Sequence, residues 1–498
     1  MPDSLSSRIL SGIAWKAGSQ VTLQLARIVV ALVLARLLTP HEWGLAAMVL
    51  VFAGFVVVFT DSALGTALIQ RREISEDDRS TVFFVGTSVG VLLAITGIAC
   101  SGPLASFYGE PEVQPLFIAV SIGFLVSTLG ATQMALLVRD MEFKRLELRQ
   151  IAATLVGACI GIGLAVGGYG AWAIVGQLLG EAVTSTVLLW LLTPWRPQRR
   201  FALASLRRLG GFAGNVFAEN VLWQAGRTII GVLIGRVLGA AALGTYTLAT
   251  TVILMPFVRI AAPLQQVFFP AFSRMSDDRE RMADVWIRAT RLVGALSVPA
   301  LVGLVIVAPD FVDVVLGPRW ESATDVIRIL AVVGIVQSVQ TLHGEVLLAL
   351  GRAGTLTRFT LFWFVGSVGA VTIGTEWGIV GVATAYAIAT ILIEPVRAYL
   401  TTRALGIPLR RFVFSLSGVA QATALMAAAM LVVGAALDAA DAPAVVRLIL
   451  LVALGGVVYV AACLWRAPEV TGEVRSVLAR RRRSEPRLES LDGGLIEA

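Results

Sequence analysis

Runs of about twenty apolar residues recur fourteen times along this 498-residue chain, at 12–35, 43–69, 80–102, 113–138, 151–169, 171–193, 212–238, 242–269, 287–308, 323–350, 356–375, 377–399, 411–437 and 444–465. A hydrocarbon core of ~30 Å is crossed by about 20 helical residues, and few of the runs alternate as barrel strands do. The expected fold is therefore an all-α integral membrane protein of about 14 transmembrane helices. Composition agrees, with 57% hydrophobic and 15% charged residues where a soluble domain carries about 25% charge. The first run is too long for a signal peptide and holds Lys16 and Arg27, so it is expected to remain as a helix.

Basic residues between the runs set the expected orientation, because short cytoplasmic loops retain Lys and Arg. Loops on the side of the N-terminus hold 29 of them, and the opposite side holds only Arg36, Arg236, Arg319 and Arg447. Both termini are thus expected in the cytoplasm. The same distribution accounts for the basic balance without nucleic acid, since the charge lies in scattered loops rather than on one folded face. The run Arg480 to Arg483 lies in a basic tail suited to anionic lipid heads. Cys100, Cys159 and Cys463 fall within or at the end of apolar runs, a placement that suggests neither a disulfide framework nor a metal site.

The chain also repeats itself. Shifting by 200 positions lays ARLLTPHEWG (35–44) on GRVLGAAALG (235–244), matching Arg27 to Arg227, Arg36 to Arg236 and Gly44 to Gly244. Arg139 then matches Arg352, a shift of 213. Six spans per unit return the chain to its starting side, so the two units form a parallel repeat, as in transporters whose halves rock about a midplane site. The expected organisation is a six-helix lobe at 1–205, a second at 206–405, two further helices at 406–466 and a basic cytoplasmic tail at 467–498.

Polar residues recur with the repeat. Lys16, Gln20, Gln24 and Arg27 fall within an arc of roughly 80° on the first helix, and Asn220, Gln224 and Arg227 share a similar arc on the seventh. Arg27, Arg227 and Arg259 facing lipid would cost ~8–10 kcal/mol together on the insertion scale. They are therefore expected to face a wet cavity or an acidic partner, with Asp61, Glu181, Glu219 and Glu345 available for pairing and Asp61, Glu219 and Glu345 also for ion coupling. A cationic chamber lined with amides suits an anionic head joined to a hydroxyl-rich remainder, since arginine forks onto phosphate and amides read sugar hydroxyls.

The segments ARLLTPHEWGLAAMVLVFAGFVVVFTDSALGTALIQRREISEDDRSTVFF (35–84) and LLVRDMEFKRLELRQIAATLVGACIGIGLAVGGYGAWAIVGQLLGEAV (136–183) resemble the Wzx-type polysaccharide transporters. These are lipid-linked oligosaccharide flippases of the multidrug/oligosaccharidyl-lipid/polysaccharide exporter superfamily. The likeness is densest over 5–200 and weak in the last two spans. It implies a two-lobed, fourteen-helix transporter in the bacterial cytoplasmic membrane, without catalytic residues or a cofactor. That transporter moves undecaprenyl-pyrophosphate-linked sugars outward by alternating access, with glycosyltransferases and a polymerase as functional associates. The alternatives are a cation-coupled drug exporter of the same superfamily, which usually has a carboxylate-dominated chamber, and a membrane polysaccharide polymerase, which normally has a large outer loop. The longest outer loop expected here is 309–322.

Other motifs read as packing. Gly86-Thr-Ser-Val-Gly90 matches a hydrolase pattern but lies mid-span, and Gly157-x-x-x-Gly161 with Gly163-x-x-x-Gly167 marks close helix contact. His343 is expected to be packed or to line a cavity. Pro256, Pro263 and Pro299 lie within spans as kinks or hinges.

Overall fold

The computed structural model describes residues 22–24, 26–60, 68, 74–198, 202, 224, 228–253, 268–469 and 472. Among them the structure is helical, without strands, and ten helices are long and apolar enough to cross a membrane. It divides into two compact units, Met1–Leu248 with Thr375–Ile379, and Ala249–Gly374 with Val380–Ala498.

The first unit holds α1 (26–37), α2 (Pro40–Thr60), α3 (Glu76–Tyr108), α4 (Val113–Arg139), α5 (Phe143–Val166), α6 (Trp172–Leu192) and most of α7 (Thr228–Ile253). Local sequence fixes the helix starts. The Thr39 hydroxyl accepts from the Glu42 N–H at 3.3 Å, while the Glu42 carboxylate accepts from the Thr39 N–H at 2.7 Å, closing a capping box on α2. Ser75 and Asp78 do the same for α3, whose first turn carries three acids at the positive end of the helix dipole. The α3 helix runs 33 residues, beginning before the apolar run at 80–102 with this capped acidic turn and ending after it at the left-handed Gly109.

One end of this unit gathers three connections. His41 lies 3.3 Å from Glu110, and Glu42 sits against Gly170, where a Cβ would come within 2.8 Å of its Oε1. The opposite end joins Arg139 to the Leu68 carbonyl at 2.7 Å and the Trp195 indole N–H to Glu76 at 2.9 Å. Successive helices therefore alternate in direction, as spans must.

The second unit contains α8 (Arg279–Phe311), α9 (Ala323–Gln340), α10 (His343–Ala349), α11 (Ala353–Gly374), most of α12 (Gly378–Leu405), α13 (Leu409–Ser415), α14 (Ser417–Ala439) and α15 (Ala444–Arg466). Its core packs Trp286 of α8 flat on Phe412 of α13, with His343 edge-on to both. His343 is fully buried, so of the two placements expected, packed or lining a cavity, it takes the first. The helices α14 and α15 flank α8, and Tyr459 donates to the Ala295 carbonyl at 2.6 Å. Ion pairs join the three helices at both ends: Arg447 to Asp310 and Asp438, and Arg291 to Glu469.

The expected outer loop at 309–322 is mostly helical. The α8 helix continues to Phe311, a π turn covers Val312–Leu316, and a 3-10 turn follows at Pro318–Trp320 with Trp320 buried. Its apolar side chains fold inward, which charge and Gly/Pro content alone do not signal. The expected tenth span breaks into α9 and α10 at Thr341–Leu342.

The repeat is written in the backbone. Residues with positive φ close corresponding turns at Gly109 and Gly317, Met141 and Gly351, and Gly170 and Gly378. Their offsets are 208, 210 and 208, which corrects the shift of 213 read from Arg139 and Arg352. The left-handed residue that reverses the chain marks the helix end, whereas an arginine can sit on either side of it.

At the start of the repeat the offset is 200. A Cβ on Gly44 would lie 1.7 Å from the Ala240 carbonyl oxygen, and one on Gly244 would lie 1.9 Å from the Pro40 carbonyl oxygen. The matched glycines thus form a reciprocal backbone-on-backbone crossing of α2 and α7.

Candidate functional site

Close helix packing comes first in building the site. On α5, a Cβ at Gly157 would meet the Gln177 carbonyl at 2.6 Å and the Glu181 Cβ at 3.1 Å, and one at Gly161 would meet the Gln177 Cβ at 2.8 Å. The absence of side chains there lets α6 lie directly on α5. Gly163 faces open space and Gly167 touches only its own turn, so just the first of the two Gly-x-x-x-Gly pairs serves this contact. Gly90 packs on Thr128 and Gly86 on nothing within 4 Å, in the middle of α3.

That close approach brings a charged network together inside the first unit. Glu181 Oε1 accepts from Gln150 Nε2 at 2.6 Å and from Thr154 Oγ1 at 3.1 Å, and it lies 3.4 Å from Arg27 Nη2 on α1. Gln150 Oε1 in turn accepts from Arg149 Nη2 at 2.9 Å, and Arg149 Nη1 donates to Ser185 Oγ at 2.9 Å. The Glu181 carboxylate therefore stands between two guanidiniums, and Glu147 brings a second carboxylate charge to bear on Arg149. Arg149 is buried, whereas the Arg27 side chain is 42% exposed.

Arg149 lies on α5, seven residues into the helix, ahead of the apolar run expected at 151–169. The readable signal was the face formed by Gln150, Thr154, Gly157 and Gly161, spaced at four, three and four residues. It is the same kind of stripe as that of the first helix.

Of the residues expected from sequence, Gln24 is half-buried on the turn before Arg27, and its Oε1 has no hydrogen-bond partner among the described residues. Gln224 donates to Thr228 Oγ1 at 3.1 Å and rests on Gly54 of α2, while Thr228 Oγ1 lies 3.5 Å from the Val51 carbonyl. Its amide is engaged in the contact of α2 with α7. Glu345 is half-buried in the first turn of α10 and forms no ion pair among the described residues. Lys16, Gln20, Asn220, Arg227, Arg259, Asp61 and Glu219 lie outside the described residues, as do Pro256 and Pro263.

Three further basic groups lie on the helices of the second unit. Arg291 pairs with Glu469, Arg328 lies 3.7 Å from Asp325 near the start of α9, and Arg288 is exposed. A pair that composition did not single out sits on α12. Arg397 donates to the buried Glu394 at 3.0 Å and lies over the Phe359 ring, 4.9 Å from its centroid.

Helical hairpins closed by repeated left-handed turns, with charge networks held inside the spans, define an all-helical membrane protein. The same fold is seen in the lipid II flippase MurJ in its inward closed conformation, at a TM-score of 0.70 and 13% identity over 92% of this chain and all of that one. An inward-facing multidrug resistance MATE family transporter of the MOP superfamily aligns with a TM-score of 0.62 and 16% identity, covering 78% and 96% of the two chains.

The chain belongs to the polysaccharide biosynthesis protein family, whose model matches residues 33–325. It is similar to the lipopolysaccharide biosynthesis protein WzxC of Escherichia coli K12, at 27% identity over 83% of this chain and 85% of the relative. The teichuronic acid biosynthesis protein TuaB of Bacillus subtilis is 27% identical over 70% of this chain and 73% of its own length. The succinoglycan biosynthesis transport protein ExoT of Rhizobium meliloti is 26% identical over 75% and 76%.

Proposed function

We propose that this protein flips polyprenyl-pyrophosphate-linked oligosaccharide across the bacterial cytoplasmic membrane for polysaccharide export, by alternating access and with both termini in the cytoplasm. The observation that carries the reading is the network of Arg27, Glu181, Gln150, Thr154 and Arg149 inside the spans. It places guanidiniums beside amide and hydroxyl groups on a fold shared with a lipid II flippase. A guanidinium receives phosphate oxygens in a fork, and amides and hydroxyls exchange hydrogen bonds with sugars. Arg27 on the first helix, with Gln24 one turn away, is the proposed first contact for the pyrophosphate, and Arg227 is its repeat counterpart. Transport of this kind needs no bond-breaking chemistry, and the reading assigns the protein no enzymatic role. Its associates would be the glycosyltransferases that build the lipid-linked sugar and the polymerase that consumes it.

The test is export in cells at matched protein abundance. Arg27→Ala and Arg227→Ala should each reduce lipid-linked sugar reaching the outer leaflet while the protein remains inserted. Arg227→Lys should retain more activity than Arg227→Gln, because charge is kept when the fork is lost. Normal export by both alanine variants would remove the arginines from the transport site.

A further inference from the structure

We propose that Glu181 is a built-in stand-in for the substrate's pyrophosphate, occupying Arg27 while the transporter is empty and yielding it to the incoming headgroup; the proposal rests on the flippase reading. Carboxylate and phosphate present similar pairs of oxygens to a guanidinium. What distinguishes a stand-in from a structural ion pair is the difference in how firmly its two halves are held.

Glu181 is firmly held without Arg27. Its Oε1 accepts from Gln150 at 2.6 Å and Thr154 at 3.1 Å, both on α5, and the missing side chain at Gly157 fixes the distance between α5 and α6. Gln150 is itself braced by Arg149, which is tied to Ser185. The carboxylate therefore keeps its hydrogen bonds if the arginine leaves.

Arg27 is loosely held. Its contact with Glu181 is 3.4 Å, longer than the ~2.7–2.9 Å of a charge-assisted hydrogen bond. It makes no other hydrogen bond or ion pair among the described residues. The side chain is 42% exposed, and an arginine carries five N–H donors. Most of them remain available to a ligand.

Two consequences follow for selection. In the empty protein Arg27 is neutralised within the membrane, which lowers the cost of an unpaired charge there. A ligand must outcompete a tethered carboxylate, and that task favours the several charged oxygens of a pyrophosphate over a single free phosphate. Glu181 is thus a specificity-determining residue that raises the threshold for anion entry. The lipid-borne headgroup is the intended ligand, since its tail holds it at membrane depth.

The experiment uses the full-length protein in nanodiscs with undecaprenyl pyrophosphate as the probe and inorganic phosphate as the competing arm. Glu181→Gln keeps an acceptor for Gln150 and Thr154 and removes the charge, so the probe should bind about tenfold tighter, a change of about 1.4 kcal/mol. Inorganic phosphate should begin to compete in this variant at concentrations that leave the wild type unaffected. In an Arg27→Gln background the same substitution should give no gain, because Glu181 acts through Arg27. If Glu181→Gln fails to fold, Glu181→Asp, which keeps the charge but withdraws it from Arg27, should still bind more tightly than wild type. Unchanged or weaker binding by a folded Glu181 variant overturns the proposal, as does a gain that persists without Arg27. Absence of probe binding by every protein, wild type included, defeats the flippase reading and the stand-in with it, whereas normal wild-type binding without the gain defeats the stand-in alone.

Discussion

Adding one methyl group at Gly44 is the sharpest available test of the α2 and α7 crossing. The new Cβ would lie 1.7 Å from the Ala240 carbonyl oxygen, about half a van der Waals separation. The obstacle is backbone, so no rotamer change relieves it and the helices must move apart. Overpacking costs about 1–3 kcal/mol, and the close Cα–H···O contacts that such a crossing permits are worth about 0.5–1 kcal/mol each. Gly44→Ala should therefore destabilise the protein by about 3 kcal/mol. Gly244→Ala should match it, because its Cβ would stand 1.9 Å from the Pro40 carbonyl oxygen. Once one alanine has separated the helices, the second finds space, so the double variant should cost clearly less than the sum of the singles. Thermal unfolding in detergent, followed by tryptophan fluorescence at matched purity, measures all four proteins. Two neutral single variants, or strictly additive losses, would refute the reciprocal crossing.

Two further predictions concern the ends of the helices. Arg447→Ala should lower thermal stability by about 2 kcal/mol, since it leaves the largely buried Asp310 carboxylate without its partner; Asp310→Asn alongside it should recover most of the loss, and a neutral Arg447→Ala would show that the clamp contributes nothing. Cysteine introduced at Glu110 should react with an impermeant reagent in intact cells while cysteine at Arg145 should not, and the reverse pattern would invert the proposed orientation.

Much of the architecture was readable because lipid imposes a simple rule on the sequence. Each span needs an apolar run, and each internal charge needs a partner, so the runs and the polar stripe at Gln24 and Arg27 stood out. The glycine crossing was half visible: Gly44 and Gly244 aligned at 200, but nothing in the sequence says that the two backbones touch. Helix ends were harder, because the acidic capped turn before residue 80 and the folded segment at 312–320 depend on local hydrogen bonding and inward packing rather than hydropathy. The site was least legible. Glu181 was available as one of several possible neutralising acids, but its choice of Arg27 depends on Gly157 and Gly161 bringing α6 onto α5. Arg149 has its partner Ser185 36 positions away, a separation that no local pattern reveals.

The ion pairs that bind α14 and α15 to α8 also set a schedule for synthesis. Asp310 waits for Arg447, which lies 137 residues later. At translation rates of about 5–20 residues per second, that interval lasts roughly 7–27 s. Arg291 waits longer still, for Glu469 beyond the last span. During this time the ninth span enters the bilayer with Arg291 near one end and Asp310 near the other, before Glu469 and Arg447 have been made. A chain that stops before residue 444 would carry all the spans of the repeat yet lack both Arg447 and Glu469, so the last helix and the residues after it are what complete these two ion pairs.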